Sequence, residues 1–102
     1  MTALRDAEGF LTRLDDWNEK TAQAIADDYA ITLTSAHWHV ITLVRNYFEK
    51  YGLSPTSRVT IGLLKQSLGK QASSIYLMQL FGGRARRVLA QVSGLPKPTD
   101  CD

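Results

Sequence analysis

Cysteine is scarce in this 102-residue chain, which contains only Cys101. A single cysteine cannot form a disulfide within the chain, and a free thiol suits a reducing compartment, so we expect a cytoplasmic protein. No apolar run approaches the ~18 residues that span a membrane, which excludes a transmembrane helix. Residues 1–10 carry acidic side chains where a secretory signal has its apolar core, so no signal peptide is expected.

Several kinds of chemical motif are also missing from the sequence. It contains no carboxylate pair, nucleophile triad, phosphate-binding loop or cofactor fingerprint, so we expect no cofactor. His37 and His39 point about 200° apart on a helix and cannot bind one ion together, so no metal site is expected. We expect His37 and Trp38 instead to pack or hydrogen-bond at the start of the central helix.

Size and composition indicate one small soluble domain. Hydrophobic residues make up 44% and charged residues 22% of the chain, as in ordinary globular proteins. At this length a hydrophobic core is feasible without disulfides. We assign residues 1–93 to a helical body and residues 94–102 to a C-terminal arm of the same domain.

Charge is divided unevenly between the two halves of the chain. Residues 1–51 have a net charge of −3 and residues 52–102 a net charge of +5. Arg84, Arg86 and Arg87 are the densest basic group and the candidate docking residues for an acidic partner. Together with Lys65, Lys70 and Lys97 they are expected to gather near the root of the arm, although an ordinary solvated helix face is the alternative.

Apolar spacing and capping residues predict a mainly α-helical fold. A first helix is capped by Asp15 or Asp16 and ends near Asp28. The strongest helix follows Thr34, ends at Gly52 and is apolar around most of its circumference, as a central buried helix would be. The predicted helices after the first are 35–51, 58–68, 72–81 and 84–92. A short β-hairpin is expected within residues 3–11, which makes the fold an orthogonal helical bundle with an N-terminal hairpin.

The last nine residues predict an extended, mobile arm. Gly94 suits the left-handed position that closes a helix, and Pro96 and Pro98 cannot donate the hydrogen bonds that would continue one. The eight residues from Gly94 to Cys101 can reach roughly 26 Å at about 3.3 Å per residue. The arm residues are Gly94, Leu95, Pro96, Lys97 and Pro98, with Cys101 near the tip.

Motifs along the whole chain resemble those of one family. The ending reads Gly-Leu-Pro-Lys-Pro from Gly94 to Pro98 and continues to Cys101. The upstream motifs are EGFL at 8–11, DWN at 16–18, LT at 33–34, HW at 37–38, SP at 54–55, Arg58, YL at 76–77 and LF at 80–81. Together with the ending, they resemble the DsrC/TusE family of sulfur-relay proteins.

The resemblance implies a sulfur-relay function for Cys101, as a sulfurtransferase that carries a persulfide. Relatives that act with dissimilatory sulfite reductase have a second cysteine eleven residues before this one, where the present chain has Ala90. The chain is therefore more similar to the single-cysteine, TusE-like branch. That branch implies an upstream sulfurtransferase complex similar to TusBCD, a downstream tRNA thiolase, and 2-thiouridine formation at the tRNA wobble position.

The residues beside Cys101 depart from the family pattern. Asp100 and Asp102 place negative charge next to the thiol, which favours its protonated form and raises its pKa. We therefore expect a partner's site to activate the thiolate.

A noncatalytic binding or regulatory module is the alternative hypothesis, acting on a sulfite reductase-type enzyme or on DNA. Helices 58–68 and 72–81, joined through Gly69, have the order of a helix-turn-helix. The second helix is mostly apolar and has no Arg or Lys to contact bases, which argues against direct DNA binding.

Overall fold

Within residues 4–99, which the computed structural model describes, five α-helices form the body of the protein. Short 3₁₀ turns at Leu14–Asp16 and Gly69–Gln71 precede the first helix and follow the third. The helices are α1 (Glu19–Asp28), α2 (Ser35–Tyr51), α3 (Ser57–Leu68), α4 (Ser74–Phe81) and α5 (Ala85–Val92). The mainly α-helical prediction is confirmed. None of these helices combines the length and the apolar character that a membrane span requires.

Helix α2 has the bounds that the sequence predicts. Thr34 precedes it in an extended conformation, and Gly52 ends it with a left-handed φ of 73°. A residue without a Cβ adopts that φ at little steric cost, which explains why the helix stops there.

The start of α1 differs from the prediction. Asp15 and Asp16 belong to the preceding 3₁₀ turn, whereas Asn18 caps the helix by accepting a 2.9 Å hydrogen bond from the N–H of Thr21. The predicted caps were therefore wrong. The turn ends in extended backbone at Trp17, so a residue beyond it must supply the capping oxygen.

The remaining helices lie within two residues of their predicted bounds. Thr56 caps α3 and Ser73 caps α4, each through a side-chain oxygen that accepts a backbone N–H three residues later. Helix α4 begins two residues later than predicted because the 3₁₀ turn after α3 leads into extended backbone at Ala72. These serine and threonine caps explain where the helices start.

Helix α5 is the most buried helix, whereas the sequence pattern predicted that α2 would be. Six of the eight residues of α5 are buried, against four of the seventeen in α2. Helix α5 packs against α1 and α4, while α2 packs against α3. The largest fully buried apolar side chains are Phe81, Ile41, Leu64 and Leu95. Leu95 follows α5, so the hydrophobic core extends into the C-terminal arm.

The predicted N-terminal hairpin is wrong, because no strand forms in residues 4–99. One isolated antiparallel bridge pairs Arg5 with Leu11. Between them, the carboxylate of Asp6 accepts hydrogen bonds from the N–H groups of Glu8 and Phe10, which closes a tight turn. Phe10 and Leu11 are buried in the body, and the chain then enters the 3₁₀ turn, so the pairing does not extend into a ladder.

His37 links the start of α2 to the end of α4. The prediction that it packs or hydrogen-bonds at the start of the central helix is confirmed. Its Nε2 lies 2.8 Å from the carbonyl oxygen of Leu80, and its Nδ1 accepts the N–H of Thr34 at 3.1 Å. A carbonyl can only accept, so Nε2 carries the proton and the ring is the neutral Nε2–H tautomer. The ring also meets Phe81 edge-on, with centroids 5.1 Å apart.

Replacing His37 with leucine is expected to lower the free energy of unfolding by about 1–3 kcal/mol, because the Leu80 carbonyl and the Thr34 N–H lose the hydrogen bonds that the buried His37 ring makes with them. Urea unfolding followed by circular dichroism measures the change. His39→Leu is the matched control, since the hydrogen bond of His39, to the hydroxyl of Ser67 at 2.7 Å, is exposed. An equal loss in both variants would contradict the structural role assigned to His37.

Candidate functional site

The C-terminal arm begins where two side chains bind the last carbonyl groups of α5. The indole N–H of Trp17 donates to the Val92 carbonyl at 2.8 Å, and the guanidinium of Arg45 donates to the Ser93 carbonyl at 2.7 Å. Carbonyls at a helix C-terminus lack partners within the helix, so these bonds satisfy groups that would otherwise need water. They also fix the direction in which the chain leaves α5.

Trp17 and Arg45 hold each other in place. The Arg45 guanidinium lies 3.7 Å from the centre of the Trp17 ring, a cation–π contact. Partial burial lowers the pKa of Arg45, and the carboxylate of Glu49 opposes that change. An arginine remains charged at neutral pH despite such a change, so the contact retains its electrostatic component.

Gly94 occupies a position that no other residue fits. Its φ is +71°, and its N–H donates to the Gln91 carbonyl while that of Leu95 donates to the Ala90 carbonyl. A Cβ added to Gly94 would lie 2.3 Å from Cδ1 of Trp17. The prediction that Gly94 closes the helix in a left-handed conformation is confirmed.

Residues 95–98 pack against the body, and we call them the arm root. Leu95 is 2% exposed and Pro98 is buried. The hydroxyl of Ser54 donates to the Pro96 carbonyl at 2.6 Å, and the Lys97 ammonium lies 3.2 Å from the Glu8 carboxylate. The expectation that an extended arm leaves the body at Gly94 is wrong for these residues, because apolar side chains and a buried hydroxyl hold them.

Ala90 lies beneath the arm root. It is 3% exposed and, with Leu95 and Pro98, lines a small cavity of about 20 Å³. The family resemblance noted in the sequence predicts a second cysteine at this position in the two-cysteine relatives. A methyl group there contributes to packing and offers no sulfur chemistry.

Cys101, the predicted reactive residue, lies outside the described residues. The last described residue is Thr99, which is exposed. The chain from Pro98 to Cys101 spans at most roughly 10 Å, at about 3.3 Å per residue.

The three predicted docking arginines line one open groove of about 230 Å³ between α3, α4 and the start of α5. Arg84 is exposed and precedes α5, whereas Arg86 and Arg87 are half-buried within it. Arg87 also donates to the Glu8 carbonyl at 3.0 Å. We call this the basic groove.

The lysines predicted to join these arginines do not all do so. Lys65 and Lys70 are exposed and are not among the described residues that line the basic groove. Lys97 belongs to the arm root, where it pairs with Glu8. The predicted basic cluster is therefore smaller than expected and consists of the three arginines.

Both histidines form hydrogen bonds that link helices of the body. His37 binds Leu80, and His39 contacts Ser67 on α3. Within residues 4–99, no three His, Cys, Asp or Glu side chains are close enough to hold a metal ion.

Sequence reasoning missed the side chains that hold the end of α5 and the arm root, namely Trp17, Arg45 and Ser54. Trp17 and Ser54 belong to the recurring motifs DWN and SP, which was a signal that these positions matter. Arg45 is a charged residue in the middle of a largely apolar helix, and that contrast was the available clue. None of these signals indicates which carbonyl groups the three side chains bind.

These features define a class of protein: a small helical domain that holds the root of a short C-terminal arm, with the chain's single cysteine close behind it. Residues 1–101 match the family model described as DsrC like protein. The chain belongs to the DsrC-like family.

Individual relatives agree with this assignment. The chain is 39% identical over 98 residues to the protein named Sulfurtransferase TusE of Buchnera aphidicola from Acyrthosiphon pisum, covering 95% of this chain and 86% of that protein. It is 40% identical over 97 residues to Sulfurtransferase TusE of Sodalis glossinidius, covering 94% and 90%. The crystal structure of the oxidized gamma-subunit of the dissimilatory sulfite reductase (DsrC) from Archaeoglobus fulgidus superposes with a TM-score of 0.85 at 33% identity, covering 98% of this chain and 92% of that chain.

Proposed function

We propose that this protein is a sulfur-relay carrier, which accepts a persulfide sulfur on Cys101 and passes it to a downstream acceptor. The observation that carries the proposal is the packed arm root, which holds the only cysteine of the chain within a few residues of the body. Similarity to proteins named sulfurtransferases supports the same chemistry. A short tether keeps the thiol at high effective concentration once the body has docked on a partner.

The transfer needs no cofactor and no external oxidant. The thiolate of Cys101 attacks the outer sulfur of a donor persulfide, and a new S–S bond forms as the donor's own S–S bond breaks. The donor leaves as a thiolate and takes up the proton that Cys101 released. An acceptor thiolate then attacks the outer sulfur on Cys101 in the same way and restores the free thiol.

The donor is expected to be an upstream sulfurtransferase complex similar to TusBCD, and the acceptor a tRNA thiolase. The end product in this proposal is 2-thiouridine at the wobble position of tRNA. Support comes from the names of the relatives and from the absence of a second cysteine, because Ala90 excludes an intramolecular disulfide cycle. The acidic neighbours of Cys101 fit a thiol that stays protonated until a partner's site activates it.

Intact-protein mass spectrometry after incubation with a persulfide-charged cysteine desulfurase relay tests the proposal. The expected result is a gain of one sulfur atom, which a reductant removes and which peptide mapping places on Cys101. The thiol is shown to be free beforehand by alkylation. No gain from a donor that charges another carrier in the same assay would overturn the proposal.

A binding module for a sulfite reductase-type enzyme is the second candidate function. The likeness to a structure titled as a gamma-subunit of dissimilatory sulfite reductase favours it, and so does the basic groove. In this alternative the arginines carry the function and the thiol does not.

Neutralising Arg84, Arg86 and Arg87 to glutamine is expected to weaken binding to an acidic partner by at least tenfold at low salt, with a smaller difference at high salt. Calorimetry with the purified donor complex and with a sulfite reductase-type enzyme measures both affinities. The matched control replaces Arg58, Lys65 and Lys70 with glutamine, which removes the same charge outside the groove. Equally weakened binding in both triple variants would show that affinity depends on net charge and not on the basic groove.

A further inference from the structure

The second half of the body carries positive charge that no acidic residue of the same segment balances. Between residues 50 and 99 the chain has eight Lys or Arg and no Asp or Glu. Some of these cations already have partners in the structure: Arg87 binds the carbonyl of Glu8, Arg86 also has a partner, and Lys97 pairs with the Glu8 carboxylate. The cations on α3 are the ones available to a ligand.

Helix α3 presents two of these cations on one exposed face. Arg58 and Lys65 are exposed, and within residues 4–99 neither side chain forms a hydrogen bond or an ion pair. Positions i, i+4 and i+7 of a helix share a face, so Gly62 lies between the two cations. Along the helix axis the cations are roughly 10 Å apart, at about 1.5 Å per residue. We call Arg58, Gly62 and Lys65 the α3 face.

Gly62 lies where the fold does not require a glycine. It is an exposed residue in the interior of α3 and is not among the glycines with a positive φ. A Cβ added there would meet nothing within 4 Å beyond its chain neighbours and its own helix. Glycine inside a helix is less stable than alanine because it loses more backbone freedom on folding. Its missing side chain leaves an open strip between two cations, which lets the backbone of a ligand approach closely.

An aromatic pair lies at the end of the preceding helix, α2. The ring centroids of Tyr47 and Tyr51 are 4.6 Å apart, and the Lys50 ammonium lies 5.3 Å from the centre of the Tyr51 ring. Tyr51 is 54% exposed, and residues 52–56 join it to α3. An exposed ring beside cations can stack on an unpaired base while the cations bind phosphates. This combination favours RNA over an acidic protein surface.

We infer that the α3 face binds the phosphate backbone of RNA, with the Tyr51 ring stacked on an unpaired base. The inference rests on the proposed function for the identity of the RNA, which is the tRNA whose wobble position receives the sulfur. The segment 52–56 also holds the arm root, because Ser54 donates to the Pro96 carbonyl at 2.6 Å. RNA on the α3 face would therefore lie next to the arm root, and the carrier would be recruited to the tRNA that its acceptor modifies.

Fluorescence anisotropy with a fluorescein-labelled anticodon stem-loop RNA tests the inference on the full-length protein. Arg58→Gln, Lys65→Gln should weaken binding about tenfold or more at low salt, and the slope of log affinity against log salt should fall by about 0.7 for each lost phosphate contact. Arg13→Gln, Lys20→Gln is the matched control, since it also removes one exposed arginine and one exposed lysine. We expect the control to bind like the wild type.

Two single variants test the other parts of the surface. Gly62→Gln should weaken RNA binding by filling the strip between the cations, while the midpoint of urea unfolding stays the same or rises. Tyr51→Ala should weaken binding of the stem-loop more than binding of a fully paired RNA duplex. A lower unfolding midpoint for Gly62→Gln, or an equal effect of Tyr51→Ala on both RNAs, would contradict the role given to that residue.

Three outcomes would overturn the inference: unchanged RNA affinity in the α3 double variant, equal weakening in its control, or equal affinity of the wild type for a polyglutamate peptide of the same charge. The last would assign the α3 face to an acidic protein surface. The sulfur-loading assay contains no RNA, and the α3 double variant should load sulfur normally. Failure of RNA binding is therefore distinguishable from failure of the carrier function.

Discussion

Replacing Gly94 with alanine is expected to lower the free energy of unfolding by about 3–5 kcal/mol, a large effect for a domain of this size. The φ of +71° alone costs alanine about 1 kcal/mol. The added Cβ also lies 2.3 Å from Trp17, so the indole must move. That movement breaks its bond to the Val92 carbonyl and its stacking on Arg45, each worth about 1 kcal/mol. Urea unfolding monitored by tryptophan fluorescence measures the loss.

Gly52→Ala is the matched control for this experiment. Gly52 has almost the same backbone conformation, with φ +73°, and a Cβ added there would meet nothing within 4 Å beyond its chain neighbours and its own helix. The control therefore has the backbone cost without the collision and should lose only about 1 kcal/mol. Equal losses in the two variants would contradict the contact between Gly94 and Trp17.

Replacing Cys101 with serine is expected to abolish sulfur loading and relay while leaving the fold and partner docking intact. A serine hydroxyl does not ionise near neutral pH and cannot form the S–S bond that carries the sulfur. The variant should also inhibit the wild type when added in excess, because it still occupies the donor. Mass spectrometry of loaded protein and the rate of transfer to the acceptor provide the two readouts.

A shifted thiol gives the sharper control for Cys101. Adding Thr99→Cys to Cys101→Ser returns the sulfur two residues closer to the body. We expect this double variant to load from a small persulfide donor but poorly from the protein donor, whose site it cannot enter as far. Retained relay in Cys101→Ser alone would remove the thiol from the mechanism and favour the binding module.

Local sequence signals predicted most of the helical structure. Thr34 and Gly52 bound α2 because one residue caps a helix and the other ends it through its own backbone preference, and both effects act within a few residues. The same reasoning misplaced the cap of α1, since several capping residues occur close together and the 3₁₀ turn decides among them. It also overstated the pairing near Arg5 and Leu11, where burial of Phe10 and Leu11 limits the contact to one bridge.

The arm root was beyond local prediction because its contacts join distant parts of the chain. Trp17 binds a carbonyl 75 residues away, Arg45 one 48 residues away and Ser54 one 42 residues away. Prolines and a glycine close together predict that the helix ends there, but they do not indicate whether the following segment lies on the body or away from it. The prediction that Cys101 is reactive came from family resemblance, since the spacing of residues around one cysteine carries little information.

The packed arm root changes the entropy of partner binding. Ordering the backbone of one residue costs roughly 1–2 kcal/mol, so a freely moving segment of residues 94–98 would oppose insertion by roughly 5–10 kcal/mol. Folding of the body already orders these residues, through Leu95, Pro98 and the hydrogen bond from Ser54. The ordering cost of residues 94–98 therefore does not recur when a partner binds. A carrier built this way can bind and release each partner quickly while using a small contact area.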